Sequence, residues 1–331
     1  MRILQVLLSP RIGGAESAAA SLAEEWARIG HSCDVVYLDK DASVGPFARL
    51  AGLRSAIRDL KPDVLISHSA LPNIYTRLVA GSIPVLTVLH SATRDMDDPK
   101  LRFAERVLQW RTRSVIAVSP TQKEEYLDLF PNQRVIVIPN GVSLRFSPPS
   151  IPELDGPIVT IGRVVAQKDP LLWSAVARSL CAERQSVRFE WHGPLASGAL
   201  PNETLRWHQS PESRAVLAGP TDRVHEVLRS ASILFHPAIR EAHSVALLEA
   251  AATGIPIVCS SEVAATLPGW LPMSVFSVRD AQDAIRAVRT VADDLPRWSE
   301  NAILVARRVQ EEFGIKGSAQ AYLAEMAIAV S

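Results

Sequence analysis

Short runs of β-branched and aliphatic residues recur along the first half of the chain: RILQVLL, CDVVYL, DVLISH, PVLTVLH, SVIAVS and RVIVIP. Each run is continuous rather than alternating, the pattern of a strand buried on both faces of a parallel sheet. Between them lie stretches with helical spacing, such as ESAAASLAEEWARIG, which Gly30 closes as a C-terminal cap. Strand and helix in alternation predict βαβ crossovers and a doubly wound α/β sheet. The proline-rich segment FSPPSIPELDGP (146–157) breaks this rhythm, and IVTIGR, SVRFEWHG, ILFHPA, IPIVCS and MSVFSV resume it. Two similar halves joined by one linker are expected, followed by two helices with a break at Gly314.

The chain has 331 residues and is 47% hydrophobic and 21% charged, enough apolar content for two packed domains. Lys+Arg and Asp+Glu are both 35, so no basic coat for nucleic acid is expected, and no nucleic-acid partner. Cys33, Cys181 and Cys259 are dispersed and make no CxxC, which points to a reducing compartment. The apolar run in MRILQVLLSP is too short for a signal peptide, and no window of ~18 uncharged apolar residues exists to span a membrane. A cytoplasmic protein is expected, at most lying against the inner face of a membrane.

Ligands of open parallel sheets bind beyond the carboxyl ends of the strands, so residues directly after strands carry the chemistry. In REAHSVALLEAAATG a helix is expected from about Ser244 to Thr253, placing Glu241 in the loop and Glu249 in the helix. The free N–H groups around His243, Ser244 and Val245 would form an anion site backed by the helix dipole. A diphosphate there would put Glu249 near ribose hydroxyls and Glu241 near a sugar. Read alone, the same two acids fit a loop acid and an exposed helical acid equally well. In VTIGRVVAQKDPLLW a strand ends at Gly162, and Arg163 and Lys168 precede a helix opened by Asp169 as N-cap and Pro170 at N1. Two cations at the mouth of a strand are suited to neutralising a diphosphate.

In this order the pieces resemble the retaining glycosyltransferases of family 4, which have the two-domain GT-B fold. The likeness rests on Glu241…Glu249 as an E-x7-E motif and on Gly162-Arg163…Lys168. IGGAES, PVLTVLH, SVIAVSPT, VIPNGVSLRFSP and VLAGPTDRVHEVLRSASILFHPA extend it over nearly the whole chain. The resemblance implies two Rossmann-like domains facing an interdomain cleft: an acceptor domain over 1–147 and a donor domain over 148–312. A C-terminal segment, 313–331, would pack back on the first. It implies transfer of a sugar from a nucleotide-diphosphate-sugar to a hydroxyl acceptor, without metal or cofactor, in cell-surface glycan synthesis. Arg163 and Lys168 would stabilise the leaving diphosphate, Glu249 would hold the ribose and Glu241 would orient the sugar. Gly13 and Gly14 would approach phosphate and acceptor, and His90, closing PVLTVLH, would contact the sugar, with His68 second to it. The chain departs from the family at Ala242, His243 and Ser244, where a small residue, an aromatic or proline, and glycine are usual.

KLRFAERVLQWRTRS (100–114) reads as an amphipathic basic helix, with Arg102, Arg106, Gln109 and Arg113 in one stripe and Phe103, Val107 and Trp110 on a neighbouring face. One reading packs the apolar side inward; the other turns the arginines towards an anionic membrane or a lipid-linked acceptor. Ala321, Tyr322, Leu323, Met326 and Ala327 are the positions expected to dock the last helix. Other functions compatible with the pattern are a binding subunit of weak activity and a nucleotide-sugar epimerase. A dinucleotide-dependent dehydrogenase is disfavoured, because GGAES is not GxGxxG.

Overall fold

The computed structural model describes residues 1–10, 13–39, 45–90, 93–148, 153–210 and 212–330. Ile12 of IGGAES and 149–152 of the proline-rich break lie outside the described residues. The chain divides into two compact units, Met1–Gly141 with Ile315–Ser331, and Val142–Gly314.

The first unit is built on a six-stranded sheet of β1 (Arg2–Leu7), β2 (Ser32–Tyr37), β3 (Val64–His68), β4 (Val85–Leu89), β5 (Ser114–Ala117) and β6 (Val135–Val137). Their order is β2-β1-β3-β4-β5-β6, and every pairing is parallel. β3 and β5 are buried along their full length, as their continuous apolar runs require. The second unit repeats the design with β7 (Ile158–Ile161), β8 (Phe189–His192), β9 (Ala215–Gly219), β10 (Ile233–His236), β11 (Ile257–Ser260) and β12 (Met273–Phe276). Its order is β12-β11-β10-β7-β8-β9, again all parallel. Trp173, Trp191, Phe189, Phe235 and Phe276 fill the core on one face of this sheet. The fold is of the GT-B class, two parallel α/β domains of six strands each.

Local signals place the helices as the sequence predicts. Helix Gly14–Arg28 ends at Ile29, with Gly30 left-handed behind it at φ 90°. Asp169 caps helix Pro170–Glu183, accepting from Leu172 N at 3.2 Å. Ser244 precedes helix Val245–Thr253, and Gly254 closes it at φ 75°. Helices Leu295–Phe313 and Ile315–Val330 flank Gly314.

The last helix belongs to the first unit, where the Trp26 indole donates to the Ala319 carbonyl at 3.1 Å and stands edge-on to Tyr322. Its buried stripe is Ile315, Ser318, Ala319, Tyr322, Glu325, Met326 and Ala329. Ala321 and Ala327, expected to dock, face solvent. Polar residues take the buried register because they have partners. Glu325 accepts from Arg134 at 2.8 Å, and Ser318 donates to the Pro139 carbonyl at 2.9 Å.

Candidate active site

In the second unit the direction of winding reverses between β7 and β10, so the loops after these strands flank the crevice of a doubly wound sheet. The two loops are laced together. Ile239 N donates to the Gln167 carbonyl at 2.8 Å, and Gln167 Nε2 to the Arg240 carbonyl at 3.0 Å. The lacing sets Lys168 Nζ in an ion pair with Glu241 Oε1, both side chains largely buried. His236, which ends β10 with no exposure, has Nε2 3.4 Å from the same oxygen. Burial favours the protonated carboxyl, but the Lys168 charge and the His236 hydrogen bond prevail and hold Glu241 at about 2. His236 itself is held below its ordinary value by burial and by the nearby Lys168.

Two glycines shape the loop after β7, where it crosses the loop after β8. Gly162, at φ 137°, adopts a backbone conformation that other residues avoid. A Cβ on Gly193 would collide with the Gly162 carbonyl oxygen, which also accepts from the Trp191 indole at 2.7 Å. Next to that tight crossing Arg163 is exposed and makes no hydrogen bond or ion pair among the described residues.

Glu249 has the opposite surroundings to Glu241. It lies in helix Val245–Thr253, its carboxyl accepts no hydrogen bond among the described residues, and burial pushes it up to about 8 against the pull of Arg145. Ser244 is the N-cap residue, but its hydroxyl caps no amide, so the first-turn N–H groups near Val245 have no side-chain acceptor from it. His243 turns inward, its ring centroid 5.7 Å from that of Phe313. Burial lowers its pKa to about 4. The residues that depart from the family pattern, Ala242, His243 and Ser244, are thus all buried.

In the first unit the winding reverses between β1 and β3. Gly13 is the N-cap of helix Gly14–Arg28, and the Glu16 carboxylate lies over it, 2.6 Å from where a Cβ would sit. His68 ends β3, and Ser69 after it is left-handed at φ 73°, a strained turn of the sort found beside binding sites. His68 Nδ1 is 2.8 Å from His90 Nε2, and His68 Nε2 is 2.9 Å from Gln5 Oε1. Burial lowers both histidines, His90 to about 4. His90 borders two small recesses, one lined by Ala18, Asn140, Ser318 and Tyr322, the other by Ser69, Met96 and Tyr126.

The structure therefore pairs Lys168 with Glu241 and His68 with His90. Sequence reasoning missed His236 and Gln5. The available signals were a histidine ending ILFHPA, as in DVLISH and PVLTVLH, and one amide inside RILQVLL.

The basic helix differs from its expectation. It spans Pro99–Leu108, a 3-10 turn covers Gln109–Arg111, and β5 begins at Ser114. Arg113 is off the helix and does not continue the stripe of Arg102 and Arg106. The side packed inward carries Glu105, which forms a two-pronged pair with fully buried Arg77 at 2.9 and 2.5 Å and accepts from the Tyr126 hydroxyl at 2.6 Å. With the helix fixed by its acid, Phe103, Val107 and Trp110 are exposed, at 70%, 48% and 74%. Among the described residues no helix is long and apolar enough to cross a membrane.

Residues 12–146 match the family model for Glycosyltransferase Family 4, and residues 156–294 that for Glycosyl transferases group 1. The chain is 28% identical over 344 residues to a phosphatidylinositol N-acetylglucosaminyltransferase subunit of Arabidopsis thaliana, covering 89% of this chain and 75% of that protein. It is 24% identical over 240 residues to the UDP-Gal:alpha-D-GlcNAc-diphosphoundecaprenol alpha-1,3-galactosyltransferase of Escherichia coli, covering 64% of this chain and 61% of that one. Among solved structures, sucrose-phosphate synthase from Thermosynechococcus elongatus superposes over all of both chains with a TM-score of 0.80 at 17% identity. Anabaena HepE in complex with UDP and glucose gives 0.77 at 15% identity, covering 99% of this chain and 100% of that one.

Proposed function

This chain belongs to the family 4 glycosyltransferases, and from that premise we propose that it transfers a sugar from a nucleoside-diphosphate sugar to an acceptor hydroxyl with retention of configuration. The observation that carries the reading is the ion pair of Lys168 with Glu241 at the switch point of the second sheet, with exposed Arg163 earlier in the same loop as Lys168 and helix Val245–Thr253 following Glu241. The departing diphosphate develops negative charge, and fixed cations with an open helix N-terminus lower the barrier by meeting that charge where it forms. Arg163 and Lys168 supply this without requiring a metal ion. Glu249 receives the ribose hydroxyls, Glu241 orients the sugar, and the amides near His243, Ser244 and Val245 meet the phosphate. Gly13, Gly14 and His90 are the candidate residues of the first unit.

The diphosphate has to compete with Glu241 for Lys168, so the resting ion pair exchanges for a phosphate contact as the donor binds. UDP named with HepE and UDP-Gal named for the Escherichia coli relative support a uridine donor. The lipid parts of the two relatives' names support a lipid-linked acceptor, in surface glycan assembly. Exposed Phe103, Val107 and Trp110 beside Arg102 and Arg106 support a seat on anionic membrane. A second reading, a donor-binding subunit of a larger transferase, is favoured by the Arabidopsis relative being named as one subunit of such an enzyme.

Transfer and hydrolysis assays over a panel of nucleotide sugars test the proposal. Turnover abolished by Lys168→Ala supports it. Binding without turnover across donors and acceptors leaves only the second reading, and an epimerised donor without transfer contradicts both.

A further inference from the structure

The polar chain that starts at Gln5 has one consistent assignment of its protons. Gln5 Nε2 lies 2.8 Å from the Ala19 carbonyl oxygen, which can only accept, so the amide nitrogen points there. Its other contact, Cys33 Sγ at 3.4 Å, also takes a donor. The amide oxygen is then left facing His68 Nε2 at 2.9 Å, and since it cannot donate, His68 Nε2 carries a proton. Burial favours neutral His68, and a neutral ring protonated on Nε2 has a bare Nδ1. His90 Nε2, 2.8 Å from that lone pair, must donate to it. The ring planes are 23° apart and the ring centroids 5.1 Å apart, a separation consistent with an in-plane bond between ring nitrogens 2.8 Å apart.

We infer that Gln5 and His68 are positioning residues that lock His90 as its Nε2–H tautomer and present its Nδ1 as a bare acceptor for a substrate hydroxyl. Gln5 and His68 are fully buried, whereas His90 is half-buried and its Nδ1 makes no hydrogen bond among the described residues. A lone pair there accepts from a sugar or acceptor hydroxyl and opposes a carboxylate. Neutral, hydroxylated sugars are therefore favoured over uronic acids. The tautomer claim stands on the first unit alone; the link to sugar choice rests on the transferase reading above.

Long-range 15N–1H correlation spectra of the 15N-labelled protein read each imidazole tautomer directly, with no substrate present. His90 is expected with its proton on Nε2 and a bare Nδ1 at pH 7. Gln5→Met, close in shape but unable to accept, is expected to leave His90 as a mixture of tautomers. It should also lower kcat about five- to tenfold, the worth of one well-placed hydrogen bond. UDP-glucose, but neither UDP nor UDP-glucuronate, should shift the His90 Nδ1 resonance if the sugar supplies the hydroxyl. A shift only when an N-acetylglucosaminyl lipid is added would assign it to the acceptor. A wild-type His90 protonated on Nδ1 overturns the inference, as does a fall in Gln5→Met activity with the His90 tautomer unmoved. If the tautomer is as stated but no nucleotide sugar is turned over, the functional reading fails and the positioning chain stands.

Discussion

The switch points of the two sheets hold polar clusters of opposite kinds. In the second unit the cluster is ionic, with Lys168 against Glu241 and exposed Arg163 earlier in the same loop as Lys168. In the first it is a neutral chain, Gln5–His68–His90, in which burial keeps both histidines uncharged. On the proposed function, the same backbone design serves two tasks. Charge belongs where a diphosphate must be met and released, and an uncharged, oriented acceptor belongs where a hydroxyl must be recognised. The contrast recurs within eight residues of one segment, where Lys168 keeps Glu241 ionised at about 2 and burial without a cationic hydrogen bond raises Glu249 to about 8.

Removing charge from the ionic side tests the contrast most severely. Lys168→Ala is expected to lower kcat/KM by roughly a thousandfold, measured as transfer from UDP-glucose, since a transition-state contact to developing charge is lost. His90→Ala, on the neutral side, should cost roughly ten- to a hundredfold, the loss of a single neutral contact. Equal effects would erase the division of roles.

Glu241→Gln sharpens it through opposite signs. Freeing Lys168 should tighten UDP binding by about tenfold in calorimetry while transfer falls, because a charge-assisted bond no longer competes with the diphosphate. Weaker UDP binding would show that the resting pair does not oppose the donor.

Smaller effects appear on the pH axis. Glu249 binds its proton more tightly folded than unfolded, so its contribution to stability is full below the ordinary carboxyl value of 4.5 and is lost as pH rises to about 8. Glu241 acts in reverse: its contribution is present above 4.5 and is lost as pH falls towards about 2. Thermal melts should show Glu249→Gln raising Tm at pH 9 and leaving it nearly unchanged at pH 4. With His90 at about 4, the kcat/KM profile should lack an inflection near the ordinary histidine value of 6.5. Such an inflection would place a charged imidazole on the side described as neutral.

The strand pattern was legible because parallel strands buried on both faces leave unbroken apolar runs, and eleven of the twelve strands among the described residues follow from those runs. β9 does not. It is an edge strand in which only Ala215 is buried, and its short apolar run AVLA stops at Gly219 and Pro220, so it reads as readily as part of a loop. The carboxyl-end positions of Lys168, Glu241 and His90 could be read because His90 directly follows β4, while Lys168 and Glu241 lie in the strand-to-helix loops after β7 and β10. Their partners could not, because the pairs Lys168–Glu241 and His68–Gln5 join residues 73 and 63 positions apart. Helix Pro99–Leu108 was misread for a related reason. Glu105 has a buried place only because Arg77 and Tyr126 are brought to it, and local periodicity assigns such an acid to the surface.

The central claim, that Arg163 and Lys168 form the seat of a nucleoside diphosphate, is tested most directly by titrating UDP calorimetrically into the wild type and an Arg163→Ala/Lys168→Ala double variant that melts at the same temperature. Saturable binding to the wild type, weakened by a hundredfold or so in the double variant, is predicted. Equal affinity for the two proteins would contradict the account.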